Sequence, residues 1–402
     1  MTDFRPFTLD DAVAVAAAAL SHAAAEAVRI DSVLSLGKDQ RRNLILRARA
    51  VRGETKPRSI IIKATRAADY DAGAVNAYEA SGFVKEWAAT SYLMRHASGH
   101  PFTPNLLAHD LKQGVLVYDD VGDGLPSLVA PLLHGTAHEA EQALIAYAEA
   151  LAALHRATIG CRDVHSAILR EGFPSAAIPP PAHRWIEDVA RVPHELLGGE
   201  FPEDEANLIW QHLRQPGCWQ VLAHGDPCPD NVLLAADGRA VLIDFEFARP
   251  SHALFDAAYW RMGFPTCWCA GTVPADVGRR IDQVYRAAIA DRVPEAADDE
   301  EFRRESAIID AAWLLGNLAW LLEGALAEDG TWGRATKRSR IVTYLEHAIR
   351  SAEEANVLPR VCKLAKSWHK DLRCRWSNTA LLSDFPAFAG LQSDRKEARV
   401  GI

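Results

Sequence analysis

The chain has 402 residues, of which 49% are hydrophobic and 24% are charged, and its formal net charge is −9. This composition is ordinary for a globular protein with a sizeable core, and the length allows two or three domains or one large domain of two lobes. The acidic balance argues against a nucleic-acid-binding surface and is compatible with a cationic ligand.

The N-terminal stretch is alanine-rich from Ala12 to Leu20 and could be mistaken for a signal peptide. Three aspartates and a single arginine precede it, which is the wrong charge for a secretory leader. Thr8–Asp11 instead predicts a capping box that opens a helix. The most apolar run, residues 307–322, carries Asp310 and Asn317, so we expect no membrane span and a cytoplasmic protein.

The seven cysteines do not have the spacing of a zinc site. Cys267 and Cys269 are close in sequence, but only the distant Cys362 and Cys374 follow them. We therefore expect all seven cysteines to be reduced thiols, several of them buried in the core.

Three β-like runs follow the first helix, namely Arg29–Leu36, Asn43–Val51 and Ser59–Thr65. Short turns separate the runs, so the pattern predicts an antiparallel meander. The first turn, Gly37–Arg42, contains one glycine and several charged residues. It is either a plain hairpin turn or a loop that covers nucleotide phosphates.

The most informative stretch of the sequence is Val221–Arg249. It contains a His-Gly-Asp sequence that ends at Asp226, then four residues and Asn231, and then two apolar runs around an Asp-Gly pair. An Asp-Gly pair between apolar runs predicts a β-hairpin. The hairpin would end at Asp244 and return it close to Asn231. We therefore expect the side chains of Asp226, Asn231 and Asp244 to converge.

Two carboxylates and a carboxamide in this arrangement suit phosphoryl transfer. Asp226 would accept the proton of an incoming hydroxyl group, while Asn231 and Asp244 would hold Mg²⁺ on the phosphates of a nucleotide. Each residue alone could simply cap a loop or a hairpin. A metallophosphatase is the alternative from another class, but no other motif supplies its additional metal ligands.

The sequence His-Gly-Asp-x4-Asn, followed by Ile-Asp-Phe-Glu, resembles the aminoglycoside phosphotransferase and choline kinase families of small-molecule kinases. Protein kinases usually have arginine where Gly225 stands and glycine where Glu246 stands. The resemblance extends, more weakly, from about Val28 to Tyr259. It implies an α+β, bilobal protein-kinase-like fold with a small β-rich N-lobe and a larger, mostly helical C-lobe. It also implies transfer of the γ-phosphoryl group of ATP, with Mg²⁺, to a hydroxyl group of a small molecule.

The same resemblance suggests which residues bind the nucleotide. Lys63 ends an apolar strand at the position of the lysine that contacts the α- and β-phosphates, and its helical partner is predicted to be Glu86 rather than Glu79. The backbones of Asp119 and Val121 lie where the interlobe linker of these families pairs with adenine. A solvated strand lysine and an ordinary surface loop are the plain alternatives.

We predict an N-lobe over residues 1–117, a C-lobe over 118–355 and a C-terminal extension over 356–402. Ser81 is expected to cap the N-lobe helix that carries Glu86, and Asp256 to cap the helix after the catalytic hairpin. The extension begins with a basic, tryptophan-containing segment that matches no family feature. It ends in a polar tail, residues 393–402, that is expected to be disordered.

A long helix predicted from about residue 302 to 327 carries Asp310, Trp313, Asn317 and Trp320 along one stripe. One interpretation is that the stripe packs in the core and that a neighbouring arginine satisfies Asp310. The other is that it lines a pocket for a cationic acceptor, such as an aminoglycoside or a choline-like compound.

Two further hypotheses are a nucleotide-binding pseudokinase and a protein kinase, each acting through protein partners. Intact Asp226, Asn231 and Asp244 argue against the pseudokinase. Gly225, Glu246 and the lack of an Ala-Pro-Glu sequence after the hairpin argue against the protein kinase. We therefore favour an enzyme with a small-molecule acceptor and no nucleic-acid or membrane partner; the sequence leaves the oligomeric state open.

Overall fold

The computed structural model describes residues 8–36, 43–53, 57–66, 70–71, 78–97, 101–173 and 184–390. The helices in these ranges are α1 (Leu9–Ala24), α2 (Tyr78–His96), α3 (Val129–His134), α4 (Ala137–Ala157), α5 (Arg162–Gly172), α6 (Arg184–Val189), α7 (Val192–Leu197), α8 (Glu203–Arg214), α9 (Leu254–Arg261), α10 (Ala275–Ile289), α11 (Asp299–Ala327), α12 (Lys337–Ala355) and α13 (Pro359–Arg375). The strands are β1 (Val28–Ser35), β2 (Asn43–Arg52), β3 (Arg58–Thr65), β4 (Leu106–Asp110), β5 (Val115–Asp119), β6 (Gln220–Ala223), β7 (Val232–Leu234), β8 (Ala240–Leu242), β9 (Arg249–His252), β10 (Thr331–Trp332) and β11 (Ala335–Thr336).

The chain divides into two units. The first holds the described residues of Met1–Leu125, Arg162–Pro179 and Ile243–Ala248, and the second those of Pro126–Cys161, Pro180–Leu242 and Arg249–Ile402. These bounds differ from the predicted 117/118 and 355/356 boundaries. The first unit takes in α5 because this helix packs against α2, and the second takes in α13 because it packs against α12. The predicted α+β class is confirmed, since the first unit holds the main sheet and the second is mostly helical.

The first unit is built on one antiparallel sheet with the strand order β1-β2-β3-β5-β4. The predicted meander of β1, β2 and β3 is confirmed. The sequence did not predict β4, because its five residues, Leu-Leu-Ala-His-Asp, are too few to show a clear alternation. The turn at residues 37–42 and the polar tail at 393–402 lie outside the described residues.

The alternation of side chains along β3 decides which face of the sheet each residue occupies. Ile60, Ile62 and Ala64 are fully buried in a cluster with the apolar face of α1. That helix begins with the predicted capping box between Thr8 and Asp11. Since neighbouring strand residues point to opposite faces, Lys63 points away from α1.

The helix α2 begins at Tyr78, which is earlier than predicted. Ser81 therefore lies inside the helix, and its prediction as the N-cap is wrong. Glu86 sits about two turns from the helix start.

The second unit is organised around α11, which has 29 residues and packs against α6, α8, α9 and α12. By length and composition this helix could cross a membrane, so the presence of Asp310 and Asn317 does not by itself exclude a span. However, 78% of its most apolar window is buried inside the protein, as in the core helix of a globular protein. A single helix of this kind among the described residues is weak evidence for a membrane span.

The predicted hairpin after Asn231 is present, and β7 and β8 pair antiparallel with Val232 opposite Leu242. Its turn closes with a hydrogen bond from Ala235 N to the carbonyl of Arg239, 2.8 Å long. Gly238 in this turn has φ of +86°, a conformation that glycine adopts without strain. The hairpin therefore starts beside Asn231, as the Asp-Gly pair predicted.

Candidate active site

The loop that follows β6 is held in place by a carboxylate from another element. Asp256 is completely buried and accepts hydrogen bonds from the backbone N–H groups of His224 (2.6 Å) and Gly225 (3.0 Å). His155 Nε2 lies 3.1 Å from the same carboxylate. Asp256 is the third residue of α9, so the prediction that it caps this helix is wrong. Its role is to bind the loop that presents Asp226, because a buried carboxylate needs donors and these N–H groups supply them.

Hydroxyl groups surround the carboxylate of Asp226 within the second unit. Thr266 Oγ1 donates to Asp226 Oδ1 at 2.8 Å, and Tyr259 Oη lies 3.1 Å from the same oxygen. Burial, together with the negative charge of Asp226, raises the pKa of Tyr259 well above its ordinary value. The phenol therefore stays protonated and remains a hydrogen-bond donor. These contacts orient the carboxylate with neutral donors.

The segment that carries Thr266 is fixed by a buried arginine. Arg340 is 0% exposed, and its guanidinium donates to the carbonyl of Cys267 at 2.8 Å and to that of Pro265 at 3.4 Å. Tyr344 Oη donates to the Pro265 carbonyl at 3.2 Å. The two residues that flank Thr266 are thus anchored, which sets the position of its hydroxyl group. The sequence carried no signal for these contacts, because the residues lie far apart in the chain.

A disulfide bond joins the Asp226 loop to the same segment. Cys228 is bonded to Cys267, with their Cα atoms 5.7 Å apart, and Cys228 Sγ lies 3.2 Å from Asp226 Oδ1. The expectation that all seven cysteines are reduced thiols is therefore wrong for this pair. The pairing was missed because the two cysteines are separated by 39 residues and spacing alone does not reveal connectivity.

Asn231 lies at the end of a short 3₁₀ turn directly before β7. Its Nδ2 donates to the backbone carbonyl of Asp226 at 3.0 Å, which fixes the orientation of the side-chain amide. The amide oxygen, Oδ1, is therefore the atom that Asn231 could offer to a metal ion. Oxygen is the donor type that Mg²⁺ prefers, so the side chain fits that ion.

In the first unit, Lys63 lies between two carboxylates. Its Nζ forms ion pairs with Glu86 Oε2 and Asp244 Oδ1, and Tyr118 Oη donates to Glu86 Oε1 at 3.1 Å. The expected pairing of Lys63 with Glu86 is thus present. Burial lowers the pKa of Lys63, but Asp244, Glu86 and Glu246 outweigh it and raise the pKa above its ordinary value. Lys63 therefore keeps its positive charge.

The charge balance around Lys63 favours an additional cation. Burial and the charges of Asp244 and Glu246 raise the pKa of Glu86, Lys63 opposes them, and the net result is a pKa of about 7. Three carboxylates thus share one ammonium group. An added positive charge at Asp244 would relieve this excess of negative charge.

Asp244 itself has the properties of a metal ligand. Its side chain is 37% exposed, and its φ of 68° is an uncommon conformation for a residue other than glycine, although aspartate tolerates it better than most. No group of three or more His, Cys, Asp and Glu side chains in the described parts of the chain could hold a metal ion alone. Mg²⁺ usually takes one or two carboxylates together with substrate phosphates, and Asp244 is a carboxylate of this kind.

The two residues predicted to contact adenine lie at the end of β5. The N–H of Asp119 donates to the carbonyl of Asn105 at 2.9 Å, so a backbone contact of Asp119 with adenine would use its carbonyl oxygen. Val121 lies in the segment after β5. Arg47 fixes this segment by donating a hydrogen bond of 2.8 Å to the carbonyl of Gly122. Their role in binding adenine stays a prediction.

The structure favours the core interpretation of the stripe on α11, beginning with Asp310. Asp310 is completely buried, and its Oδ2 accepts hydrogen bonds from His347 and Ser351, each 2.9 Å long. Arg261 approaches Oδ1 to 3.5 Å. Burial alone would raise the pKa of Asp310, but Arg261 and His347 outweigh it and hold the pKa below its ordinary value. The charge of Asp310 is thus compensated within the protein, by hydrogen bonds at Oδ2 and by the ion pair with Arg261 at Oδ1.

The aromatic part of the stripe is also structural. Trp313 is buried, stacks on Phe255 with the ring centroids 4.3 Å apart, and donates to the Phe255 carbonyl at 2.9 Å. Asn317 is completely buried and donates to the carbonyl of Trp313. Trp320 is 50% exposed and packs edge-on against Trp332. The proposal that this stripe lines an acceptor pocket is therefore wrong.

The predicted site residues fall into two sets, one in each unit. Lys63, Glu86 and Asp244 meet in the first unit, and Asp226 and Asn231 meet in the second. The convergence of both sets on one spot stays a prediction. The structure adds four residues that the sequence did not assign to the site. Tyr259 and Thr266 contact the Asp226 carboxylate with their hydroxyl groups, and Asp256 and Arg340 anchor the segments around it.

Among the solved structures that resemble the chain distantly are two kinases and a phosphotransferase. The choline kinase LicA from Streptococcus pneumoniae has 13% sequence identity and a TM-score of 0.40, and the match covers 81% of this chain and 94% of that one. An ethanolamine kinase from Plasmodium vivax has 12% identity and a TM-score of 0.43, and the match covers 83% of each chain. The macrolide 2'-phosphotransferase MphH from Brachybacterium faecium has 16% identity and a TM-score of 0.41, and the match covers 81% of this chain and 97% of that one. Likenesses at this level do not identify an acceptor. No curated protein matches the sequence significantly.

A family model gives the assignment. The model of the phosphotransferase enzyme family, APH, matches residues 52–271, which is more than half of the 402 residues. The matched range includes both sets of predicted site residues, from Lys63 to Asp244. The chain therefore belongs to the phosphotransferase enzyme family.

Proposed function

We propose that this protein transfers the γ-phosphoryl group of ATP to a hydroxyl group of a small molecule. The observation that carries the proposal is the arrangement around Asp226. Its loop is bound by the buried carboxylate of Asp256, and its own carboxylate is oriented by the hydroxyl groups of Tyr259 and Thr266. A carboxylate fixed in this way is suited to position an acceptor hydroxyl and to take its proton.

Lys63 would bind the α- and β-phosphates of the nucleotide. Support comes from its permanent positive charge and from its double ion pair with Glu86 and Asp244. The phosphates would compete with Asp244 for the ammonium group, while the buried Glu86 would keep the lysine in place. The carbonyl of Asp119 and the backbone of Val121 would contact the adenine edge.

Asn231 and Asp244 would hold Mg²⁺. The support is the type of donor, an amide oxygen from one residue and a partly exposed carboxylate from the other. When bound, Mg²⁺ would offset the negative charge of the nucleotide phosphates. The chain supplies oxygen ligands of the right kind for this ion.

The acceptor is a small molecule that carries a hydroxyl group. The net charge of −9 favours a cation over an anion at long range, and this is the remaining support for a positively charged acceptor. The Asp310–Trp320 stripe gives no further support, because Asp310 and Trp313 are buried and contact other residues of the protein.

The proposal is tested by measuring ATP consumption with a panel of hydroxyl-bearing amines, sugars and antibiotics. At least one compound should stimulate turnover, and Asp226→Asn should lower the stimulated rate by about 10²-fold or more. Asp230→Asn is the matched control, because Asp230 lies in the same loop and is exposed, with Trp268 as its partner. Equal loss of rate in both variants, or an unchanged rate in Asp226→Asn, would remove Asp226 from the catalytic role.

A further inference from the structure

A cavity of about 610 Å³ lies in the C-terminal part of the second unit. Its walls come from the turn between α11 and α12, from the first turn of α12 and from the segment that follows α13. All lining residues except Ala270 lie beyond residue 271, where the family match ends. The cavity is therefore a feature of this chain outside the matched region, and its volume is typical of a small-molecule site.

The outer wall, residues 377–383, is held in position by three hydrogen bonds, two to α12 and one to the segment that contains Thr272. These bonds join Ser339 Oγ to the Ala380 carbonyl (2.8 Å), Leu382 N to Thr343 Oγ1 (2.8 Å) and Thr272 N to the Ser383 carbonyl (3.0 Å). Because the wall is tied on both sides, the cavity is preformed, which reduces the entropy that a ligand would have to offset.

Two arginines that line the cavity have their guanidinium groups over aromatic rings. The guanidinium carbon of Arg338 lies 5.1 Å from the ring centroid of Trp376, and that of Arg334 lies 6.0 Å from that of Phe385. A cation–π contact of this kind holds a guanidinium group near the ring without using its N–H groups, which remain for a ligand. A third arginine, Arg375, also lines the cavity and forms an ion pair with Asp371.

The charge of these two arginines is not neutralised locally. In the described parts of the chain, neither Arg334 nor Arg338 has a carboxylate within ion-pair distance, and Arg338 Nε donates only to the carbonyl of Ala325. The single acid in the lining, Asp329, accepts a hydrogen bond from the backbone N–H of Arg338 at the start of α12. A cavity with unpaired guanidinium groups in a chain of net charge −9 is a local site for an anion.

We propose that this cavity binds a small molecule that carries a phosphate group, with Arg334 and Arg338 as its ligands. A phosphate offers several oxygens to two forked donors at once, which is the geometry that arginine recognises best. The hydroxyl-bearing side chains of Ser377, Thr379 and Ser383 line the same space and supply further donors. The volume exceeds that of inorganic phosphate, so the ligand is a phosphorylated organic molecule rather than the free ion.

The proposal is tested by titration calorimetry with glycerol phosphate and with inorganic phosphate. The wild-type protein should bind glycerol phosphate, and Arg334→Gln and Arg338→Gln should each weaken binding by roughly tenfold or more. Arg279→Gln removes the same charge from an exposed position on α10 and should bind like the wild type. Arg334 is exposed, so its variant reports on the ligand even if Arg338→Gln lowers the melting temperature.

A second titration in saturating ADP separates this cavity from a nucleotide site. Binding that persists with ADP present and depends on Arg334 supports the proposal. The proposal is overturned if glycerol phosphate does not bind, or if inorganic phosphate binds with equal affinity. It is also overturned if ADP displaces glycerol phosphate, or if Arg334→Gln and Arg338→Gln bind it as tightly as Arg279→Gln does. None of these outcomes depends on whether the protein transfers a phosphoryl group.

Discussion

Thr266 Oγ1 donates a hydrogen bond of 2.8 Å to Asp226 Oδ1, although the two residues are 40 positions apart in the chain. The hydroxyl group helps to hold the proposed catalytic carboxylate in one orientation. It can do so because Arg340 anchors the residues on either side of it.

Thr266→Val keeps the shape of the side chain and removes the donor. We expect kcat to fall by roughly 10- to 100-fold, because a hydrogen bond to a charged group contributes on the order of 1.5–3 kcal/mol. The KM for ATP should not change. Steady-state kinetics check this, with Thr272→Val as the control, since the hydroxyl group of Thr272 contacts Asp384 instead. An unchanged kcat in Thr266→Val would contradict the positioning role.

The disulfide bond predicts the number of reactive thiols. Denatured without reductant, the protein should react with a thiol reagent at the five free cysteines, and after reduction at all seven. Cys228→Ser should release Cys267 and raise the unreduced count from five to six. Seven reactive thiols in the unreduced wild-type protein would show that the bond is absent.

The stability of the fold should depend on pH through His165. Burial lowers the pKa of this histidine to about 4 from its ordinary value of 6.5. Between these values the unfolded chain binds a proton that the folded chain does not. Stability therefore falls as pH falls from about 6.5 to 4, by on the order of 3 kcal/mol.

Melting temperatures between pH 4 and pH 7 check this prediction. His165→Gln should flatten the dependence, whereas His138→Gln, which changes an exposed histidine on α4, should not. A wild-type curve that His165→Gln leaves unchanged would mean that other groups cause the pH dependence.

The stripe on α11 should affect stability and not acceptor binding. Trp313→Ala removes a buried, stacked indole and should lower the free energy of unfolding by about 3–5 kcal/mol. Trp320→Ala changes a half-exposed indole on the same helix and should cost less than about 1 kcal/mol. Denaturant unfolding measures both changes. A selective rise in acceptor KM in either variant, at wild-type stability, would restore the pocket interpretation.

The sequence predicted best what short-range patterns encode. The alternation in β2 and β3, the Asp-Gly turn of the hairpin and the capping box at Thr8 each depend on residues close together in the chain. Lys63 and Glu86 could also be paired, because their positions on a strand and a helix match a known family pattern.

Long-range contacts were not predictable in the same way. Nothing in the spacing of Cys228 and Cys267 or of Thr266 and Arg340 marks them as neighbours, since they meet only after the second unit folds. The stripe on α11 misled for a related reason. A helix buried on nearly all sides places polar residues such as Asp310 inside the core, where other helices satisfy them.

The central claim is that Asp226 serves the transfer of a phosphoryl group from ATP to a small hydroxyl compound. The most direct measurement follows ATP labelled in its γ-phosphate, with an acceptor identified by the screen. The wild-type protein should place the label on the acceptor, whereas Asp226→Asn should bind ATP with unchanged affinity and transfer almost none. Wild-type transfer by Asp226→Asn, or label recovered only as inorganic phosphate or on protein, would contradict the account.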